Sequence, residues 1–555
     1  MSALPRHHRH DDERAFALPA AILLGMVALI LIVAAGTYTM GRKSDHDRRR
    51  DRVVAMPVVD TAVTRLKLAL EHNLLAEENE YVPTSTALMQ LVSGTDATPL
   101  TNVVMDPPIP PGMPNVTFRE PGQPGSETIG YWQLLRVFAP EYEDPADEGM
   151  VVAYLRAWSA PVNALPSAGT EPRLVRIEFR PGRFADYQAV IDGPILFGPG
   201  ATLNGPVHSN GFPDDRANLK DVLENSNERV STTANNVKVP CTGAGQITTA
   251  EGTVKAADFP GCVVQTNTRR YVNLLAAEEA FKRMRKACAV GSARVHCYNE
   301  LLDHPSQMQG SSVPSTLSQK APDLRGYRVQ LSATSIKVTK FEVNWVSQTV
   351  EQYGSWSKTI STPKDSTNVL LFDDSVMVEG TTKARVTIAA RKPDETLSTV
   401  DPSVKSGGAT IYITGNVGSS GTSAVLGLLA QGGVLLQSVQ GEGCVSNINA
   451  AIMSMSGTLT IDPRYTTRLY QGGGPKCGTI EVRGSIAAHR SPVLYWTWDN
   501  VTGYTGYSTR IYSWDKDMRR NPPPYFPTTD VWESRHVRPA NLDCFSDGDI
   551  TDPDC

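Results

Sequence analysis

Residues 15–40, AFALPAAILLGMVALILIVAAGTYTM, constrain this chain more than any other stretch. No charged residue stands between Phe16 and Met40. A helix of that length reaches about 37 Å at 1.5 Å per residue, enough to cross a hydrocarbon core of about 30 Å. A short polar leader with Arg6, Arg9 and Arg14 precedes it, and Arg14-Ala15 stands directly before Phe16. A secretory signal would carry its small-residue cleavage site behind the apolar run, and no clear A-x-A site follows here. The stretch therefore reads either as a signal-anchor of an exported protein or as an apolar helix processed at its front.

Lys/Arg counting leaves the orientation open. Arg42, Lys43, Arg48, Arg49, Arg50 and Arg52 outnumber the leader's three, which favours a cytoplasmic C-terminal side. The cysteines argue the other way. All eight lie beyond residue 240: Cys241, Cys262, Cys288, Cys297, Cys444, Cys477, Cys544 and Cys555. An even number in an exported body reads as a disulfide framework, and the lack of any C-x-x-C removes support for a zinc knuckle or a thioredoxin-like site. Sequential pairing, 241–262, 288–297, 444–477 and 544–555, closes a local loop each time. A net charge of −5 argues against binding nucleic acid over the whole surface, though not against a local basic patch.

Residues 53–80 continue with helical spacing. Val58, Ala62, Leu66, Leu68 and Leu75 leave a polar face of Arg65, Lys67, Glu71 and Glu77. Residues 82–126, rich in Pro and Gly, read as loop. Strands are expected at Tyr131–Phe138, Met150–Trp158 and Leu174–Phe179, joined by Pro/Gly/Asp turns as in an antiparallel meander. After Tyr187 short apolar strands alternate with Gly-Pro and Asn-Gly-Pro corners. The texture returns at 369–390, 409–417, 424–436, 447–460 and 478–488. Val386 and Ile388, Ile411 and Ile413, and Val434 and Leu436 alternate with polar or small neighbours, which is period two. Such short strands suit the turns of a coil better than a free hairpin sheet, so an irregular β-solenoid is expected, with a large β-sandwich as the alternative. Residues 212–330 read as an excursion from it, holding the body's one helix at Val272–Ala287.

The N-terminal residues resemble the type IV prepilins. Arg14-Ala15-Phe16-Ala17-Leu18 is similar to that family's (Lys/Arg)-Gly-Phe-Thr-Leu, with Ala15 in place of Gly. The resemblance implies that a prepilin peptidase cuts before Phe16, which is then N-methylated. It also implies that the helix anchors the chain in the inner membrane before packing into the pilus with major and minor pilins. Gly36-Thr37 and Pro57 fall where such helices bend. Ala20 stands where most pilins carry a Glu that pairs with a neighbour's N-terminus, a departure shared with minor pilins placed at the tip. GPILFGPGATLNGPVHSNG, VEGTTKARVTIAA, IYITGNV, LGLLAQGGVLL, INAAIMSMSGTLTI and YSWDKDMRRNPPPYFP look like the solenoid and closing segments of large minor pilins of competence systems, which bind DNA. The implied fold is mainly β with a long N-terminal α-helix: a pilin-like helix and antiparallel sheet carrying a large inserted β-solenoid. The expected boundaries are a leader at 1–15, the helix at 16–81, the head at 82–185, the solenoid at 186–490 and a Pro/aromatic-rich tail at 491–555.

No catalytic motif is present: no G-x-S-x-G, H-E-x-x-H, G-x-x-x-x-G-K-[ST] or strand-borne G-x-G-x-x-G. His208 reads as a turn residue rather than a general base, and Asp373-Asp374 as a solvated turn rather than a solenoid enzyme's carboxylate pair. No enzymatic activity is expected. Arg269, Arg270, Lys282, Arg283, Arg285, Lys286 and Arg294 lie within 26 residues, against Glu278 and Glu279. Lys282, Arg285 and Lys286 share a helix face at i, i+3 and i+4, which suits the phosphates of double-stranded DNA, bound without base readout and with strong salt dependence. An ordinary solvated helix explains them too. The aromatics of 495–532 suit either stacking on bases or sugars, or docking of the tail onto the solenoid flank. In DCFSDGDITDPDC, Asp547, Asp549, Asp552 and Asp554 beside Asp543 resemble a Ca²⁺ loop without the full EF-hand pattern. No other cofactor is expected. The functional expectation is a tip minor pilin, membrane-held with its body in the periplasm before assembly, that binds extracellular DNA for transformation. An adhesin or assembly primer without DNA affinity, and a membrane-tethered carbohydrate-active solenoid, are the alternatives.

Overall fold

The computed structural model describes residues 56–76, 115–118, 127–138, 150–159, 173–198, 201–211, 228–232, 237–243, 245–268, 271–274, 277–300, 302, 325–344, 349–392, 408–437, 444–461, 476–497 and 504–539. They are mainly β and fall into two compact units, one within 1–140, 151–179 and 534–555, the other within 141–150 and 180–533. The apolar run Phe16–Met40 lies outside the described residues. Among those described, no helix is long and apolar enough to cross a membrane.

In the first unit the helix Met56–Ala76 packs on an antiparallel sheet. Val58, Val59, Ala62, Leu66 and Leu70 are fully buried, a stripe with the four-residue step of one helix face. Pro57 sits in the first described turn. The sheet runs Asn115–Phe118, Glu127–Phe138, Val151–Ser159, Arg173–Arg183, Thr528–Pro539. Three of these strands cover the expected meander. The fifth strand, from the Pro/aromatic-rich tail, lies beside Arg173–Arg183 and is absent from the sequence reading.

The second unit is built on parallel ladders. The main one has ten strands in spatial order: Val295–Tyr298, Thr367–Phe372, Arg385–Ala390, Val425–Ala430, Asn447–Ser454, Lys476–Ala488, Ala189–Ile191, Pro206–Ser209, Gln246–Thr249 and Val263–Gln265. A second ladder stacks Arg325–Leu331, Val376–Thr382, Ile411–Ser419, Val434–Leu436 and Leu459–Ile461, also parallel. Residues 212–330 are thus not an excursion outside the strands. They extend the main ladder at one end through Gln246–Thr249 and Val263–Gln265, and begin both ladders at the other through Val295–Tyr298 and Arg325–Leu331.

The chain enters the main ladder in its middle, at Ala189, and builds outward to Val263–Gln265. The helix Ala277–Ala289 then carries it to the opposite end, and it builds back until Ile486 meets Ala189. The ladder can do this because both its faces are apolar. Leu370, Phe372, Ile388, Leu428 and Ile452 point into one core, while Val369, Leu371, Ala389, Leu429 and Met453 meet the helix residues Ala280, Phe281 and Met284 in another. That two-sided burial explains why VLLF, LGLLA and AAIM read as continuous apolar runs. Where the chain bends inside a strand the residue is glycine. Gly380 has φ +96°, and a Cβ there would lie 2.2 Å from the Leu331 carbonyl oxygen.

An antiparallel meander interrupts the parallel scheme. Arg325–Leu331, Ser335–Asn344 and Thr349–Ser361 pair in succession. No feature of the sequence reading anticipates the last two strands.

Candidate functional site

The basic cluster centres on the crossing helix. Ala277, Ala280, Phe281, Met284 and Ala287 are buried against the ladder, which turns the intervening positions outward. Glu278 and Glu279 stand in the first turn and Lys286 in the last, each favourable to the helix dipole.

The cations do not form the single face that their spacing suggests. The Arg285 guanidinium turns inward and donates to Asp373 at 3.0 Å, and Lys282 donates to Glu279 at 2.5 Å. Arg283 is half-buried. Lys286 and Arg294 are exposed, and their side chains make no ion pair among the described residues. Arg269 and Arg270 lie outside the described residues, as do Arg14, Ala15 and Phe16. So do Asp547, Asp549, Asp552, Asp554, Cys544 and Cys555.

Asp373 and Asp374 are not a solvated turn. Both are buried, Asp374 completely. Asp374 accepts from the Leu302 and Ser375 amides at 3.0 and 2.7 Å. Burial pushes the Asp373 carboxyl above its usual range despite the Arg285 guanidinium beside it. Burial likewise raises Glu278, opposed by Arg391, which bonds it at 3.0 Å. The pairs Arg285–Asp373 and Glu278–Arg391 fasten the helix to the ladder rather than face a ligand.

His208 is a strand residue, not a turn residue. It is buried, its Nδ1 lies 2.8 Å from Thr248 Oγ1, and its Nε2 lies 3.1 Å from Asn210 Oδ1. Asn210 in turn donates to Asp192 at 2.6 Å, and Asp192 meets His489 Nδ1 at 2.9 Å. This is a polar seam between strands, with every ring nitrogen of His208 engaged. Among the described residues no three His, Cys, Asp or Glu side chains converge on a metal position.

The tail docks. Pro522 and Pro524 carbonyls accept from Arg385 and Thr387 of the ladder, and Phe526 is buried in the helix-side core. Trp514, Tyr507 and Trp532 are buried too, so these rings of the aromatic-rich stretch do not form a stacking surface.

Three disulfides join Cys241 to Cys262, Cys288 to Cys297 and Cys444 to Cys477. The second ties the last turn of the crossing helix to the terminal strand Val295–Tyr298.

The sequence reading passes over the meander's aromatic cluster. Tyr353 and Trp356 are among the few large exposed apolar side chains, at 36% and 39%. Arg325 lies 4.3 Å from the Tyr353 ring centre, and Lys340 lies 5.6 Å from that of Trp356. The signal was the alternation of small polar residues and rings in EQYGSWSKT.

No family model matches the sequence, and no curated protein matches it. Among solved structures, the chain is similar to the competence-associated pilin ComZ from Thermus thermophilus. The match has 15% sequence identity and a TM-score of 0.29, and covers 88% of this chain and 97% of that one.

Proposed function

We propose that the chain is a non-enzymatic minor pilin of a type IV pilus, carried at or near the tip. Its second unit would be an inserted β-solenoid that binds extracellular double-stranded DNA without sequence preference for natural transformation. One observation carries the pilin part. An apolar-faced helix packs on an antiparallel sheet, and the chain leaves this unit at 179 and returns to it at 534 after completing a large ladder body. An uncharged apolar run behind Arg14-Ala15 adds the processing signal. The partners of this reading are prepilin peptidase, other pilins and, before assembly, the inner membrane with the body in the periplasm. Asp547, Asp549, Asp552 and Asp554 would hold a structural Ca²⁺.

Support for DNA rests on Lys286 and Arg294, exposed at the end of the crossing helix, with Lys282 one turn away. Each lysine or arginine that neutralises a phosphate releases condensed counterions, so affinity would fall steeply with salt. The inward turn of Arg285 favours the second reading, an adhesin or assembly primer without DNA affinity. The carbohydrate-active reading needs a free carboxylate pair, and Asp373 and Asp374 are engaged.

N-terminal sequencing of the mature protein tests the class: a start at methylated Phe16 supports it, and an intact leader overturns it. A gel shift with duplex DNA over a salt series tests the ligand. Retardation at low salt that fades at high salt, and weakens on Lys286→Glu with Arg294→Glu, is the expected result. No retardation at low salt would leave the adhesin reading.

A further inference from the structure

The outer strand of the meander, Thr349–Ser361, carries two of the exposed aromatic rings of the second unit, Tyr353 and Trp356. Among the described residues it pairs only with Ser335–Asn344. Residues 351–359 are all exposed. Gln352 pairs with Phe341 and Ser357 with Thr339, so Tyr353-Gly354-Ser355-Trp356 stand opposite Lys340 alone. Gly354, with φ +70° and nothing within 4 Å of a Cβ, makes the turn of this bulge. A bulge of this kind re-aims side chains and blunts a strand edge against simple strand addition.

The two rings are held in place. Trp356 meets Tyr298 and Tyr327 edge-on, at centroid distances of 6.1 and 6.2 Å, and Tyr298 stacks on Phe372 at 4.5 Å. Arg325 covers Tyr353. A ring fixed before a ligand arrives loses less conformational freedom on binding.

The charges decide the ligand class. Arg325 pairs with Glu342 at 2.9 Å, Lys340 with Glu300 at 2.7 Å, and Arg328 with Glu379 at 2.7 Å. Lys337, Lys358 and Glu351 are the remaining charges of the meander. A polyanion would find almost no excess cation here, unlike a phosphate-binding face. The ligand that suits exposed rings, balanced charge and a rim of Gln352, Ser355 and Ser357 is neutral, with one apolar face and many hydroxyls. A pyranose ring has that form, with its C–H face on an aromatic ring and its hydroxyls meeting amide, hydroxyl and carboxylate groups.

We propose that the Tyr353–Trp356 bulge is a binding site for a neutral oligosaccharide chain. It shares no residue with the crossing helix and does not rest on the pilus or the DNA reading. No bond is made or broken, and the site binds rather than hydrolyses.

Calorimetric titration of the full-length protein with cellohexaose, chitohexaose and maltohexaose tests this, with a thymidine 20-mer as the contrast. At least one hexasaccharide binds, with affinity unchanged between about 50 and about 500 mM salt, because no long-range charge is involved. Trp356→Ala and Tyr353→Ala each weaken it about tenfold or more, the size of one lost stacking contact, and Lys286→Glu leaves it unchanged. Thermal unfolding of each variant checks folding, and Tyr353→Ala carries the test if Trp356→Ala unfolds. Failure of all three sugars to bind overturns the proposal, as does binding that neither ring variant weakens. Preferential binding of the 20-mer, fading with salt, overturns it in favour of unpaired bases.

Discussion

Ala189 pairs in parallel with Ile486, so the first strand of the main ladder lies against the end of a strand laid down almost three hundred residues later. The ladder is therefore closed by a seam in its middle, not by its ends. Gln188 fastens the seam. Its backbone accepts from the Ile486 amide at 3.1 Å and donates to the Pro206 carbonyl at 2.7 Å. Its side chain donates to the Thr202 and Tyr512 carbonyls and accepts from the Asn204 and Gly205 amides.

Gln188→Leu keeps the volume and removes those four side-chain bonds, leaving two amides and two carbonyls to find other partners in a buried site. A cost of about 3 kcal/mol is expected, since each orphaned buried group costs about 1–3 kcal/mol and some relax toward water. Urea unfolding measures it. A loss below about 1 kcal/mol would show that the seam is held by the strand pairing alone.

The disulfides differ in what they constrain. Cys444–Cys477 spans 33 residues and Cys288–Cys297 spans 9. On chain entropy alone the first is worth about 3.7 kcal/mol and the second about 2.6. Replacing both cysteines by alanine should thus lower stability about 1 kcal/mol more at 444/477 than at 288/297. The reverse order in a denaturation series would mean that tying the crossing helix to Val295–Tyr298 matters beyond loop closure.

Acid should not loosen the crossing helix through its buried carboxyls. Burial holds Asp373 and Glu278 above the ordinary carboxylate range, so the folded chain keeps their protons to higher pH than the unfolded chain. Their contribution to stability is full below the unfolded values and is lost as pH rises through the folded ones. The urea midpoint of Asp373→Asn should accordingly gain on that of the wild type as pH rises from acid to neutral. A gap that instead widens in the wild type's favour toward neutral pH would mean that the Arg285 pair outweighs burial.

How far the residues themselves disclosed this architecture depended on the range of the contacts. The meander Glu127–Phe138, Val151–Ser159 and Arg173–Arg183 was legible because neighbouring strands pair and their turns are local. The parallel strands were legible from VLLF, LGLLA and AAIM, and the three described disulfides from their short loops. The order of the ladder was not legible. Nothing near Ala189 marks Ile486 as its neighbour, and a helix that carries the chain between ladder ends looks locally like any amphipathic helix. The spacing of Lys282, Arg285 and Lys286 set a shared face but could not disclose Asp373, which follows the strand Thr367–Phe372 and lies 88 residues away from Arg285. Tyr353 and Trp356 escaped because only the bulge opposite Lys340 makes their exposure meaningful.

The ring cluster behind that bulge gives the last prediction. Tyr298 is buried between Phe372, Tyr327 and Trp356, and its hydroxyl has no hydrogen-bond partner among the described residues. Burial also pushes its titration up to about 12. A buried hydroxyl without a partner is a cost, so Tyr298→Phe should leave stability unchanged or raise it by about 1 kcal/mol. Phe372→Ala removes a fully buried ring from the same stack and should cost about 3–5 kcal/mol, as large core truncations do. Thermal and urea unfolding of the two variants separate packing from polarity at one spot. If Tyr298→Phe instead destabilises the protein by more than about 1 kcal/mol, the hydroxyl has a partner, and the cluster is held by that bond as well as by its rings.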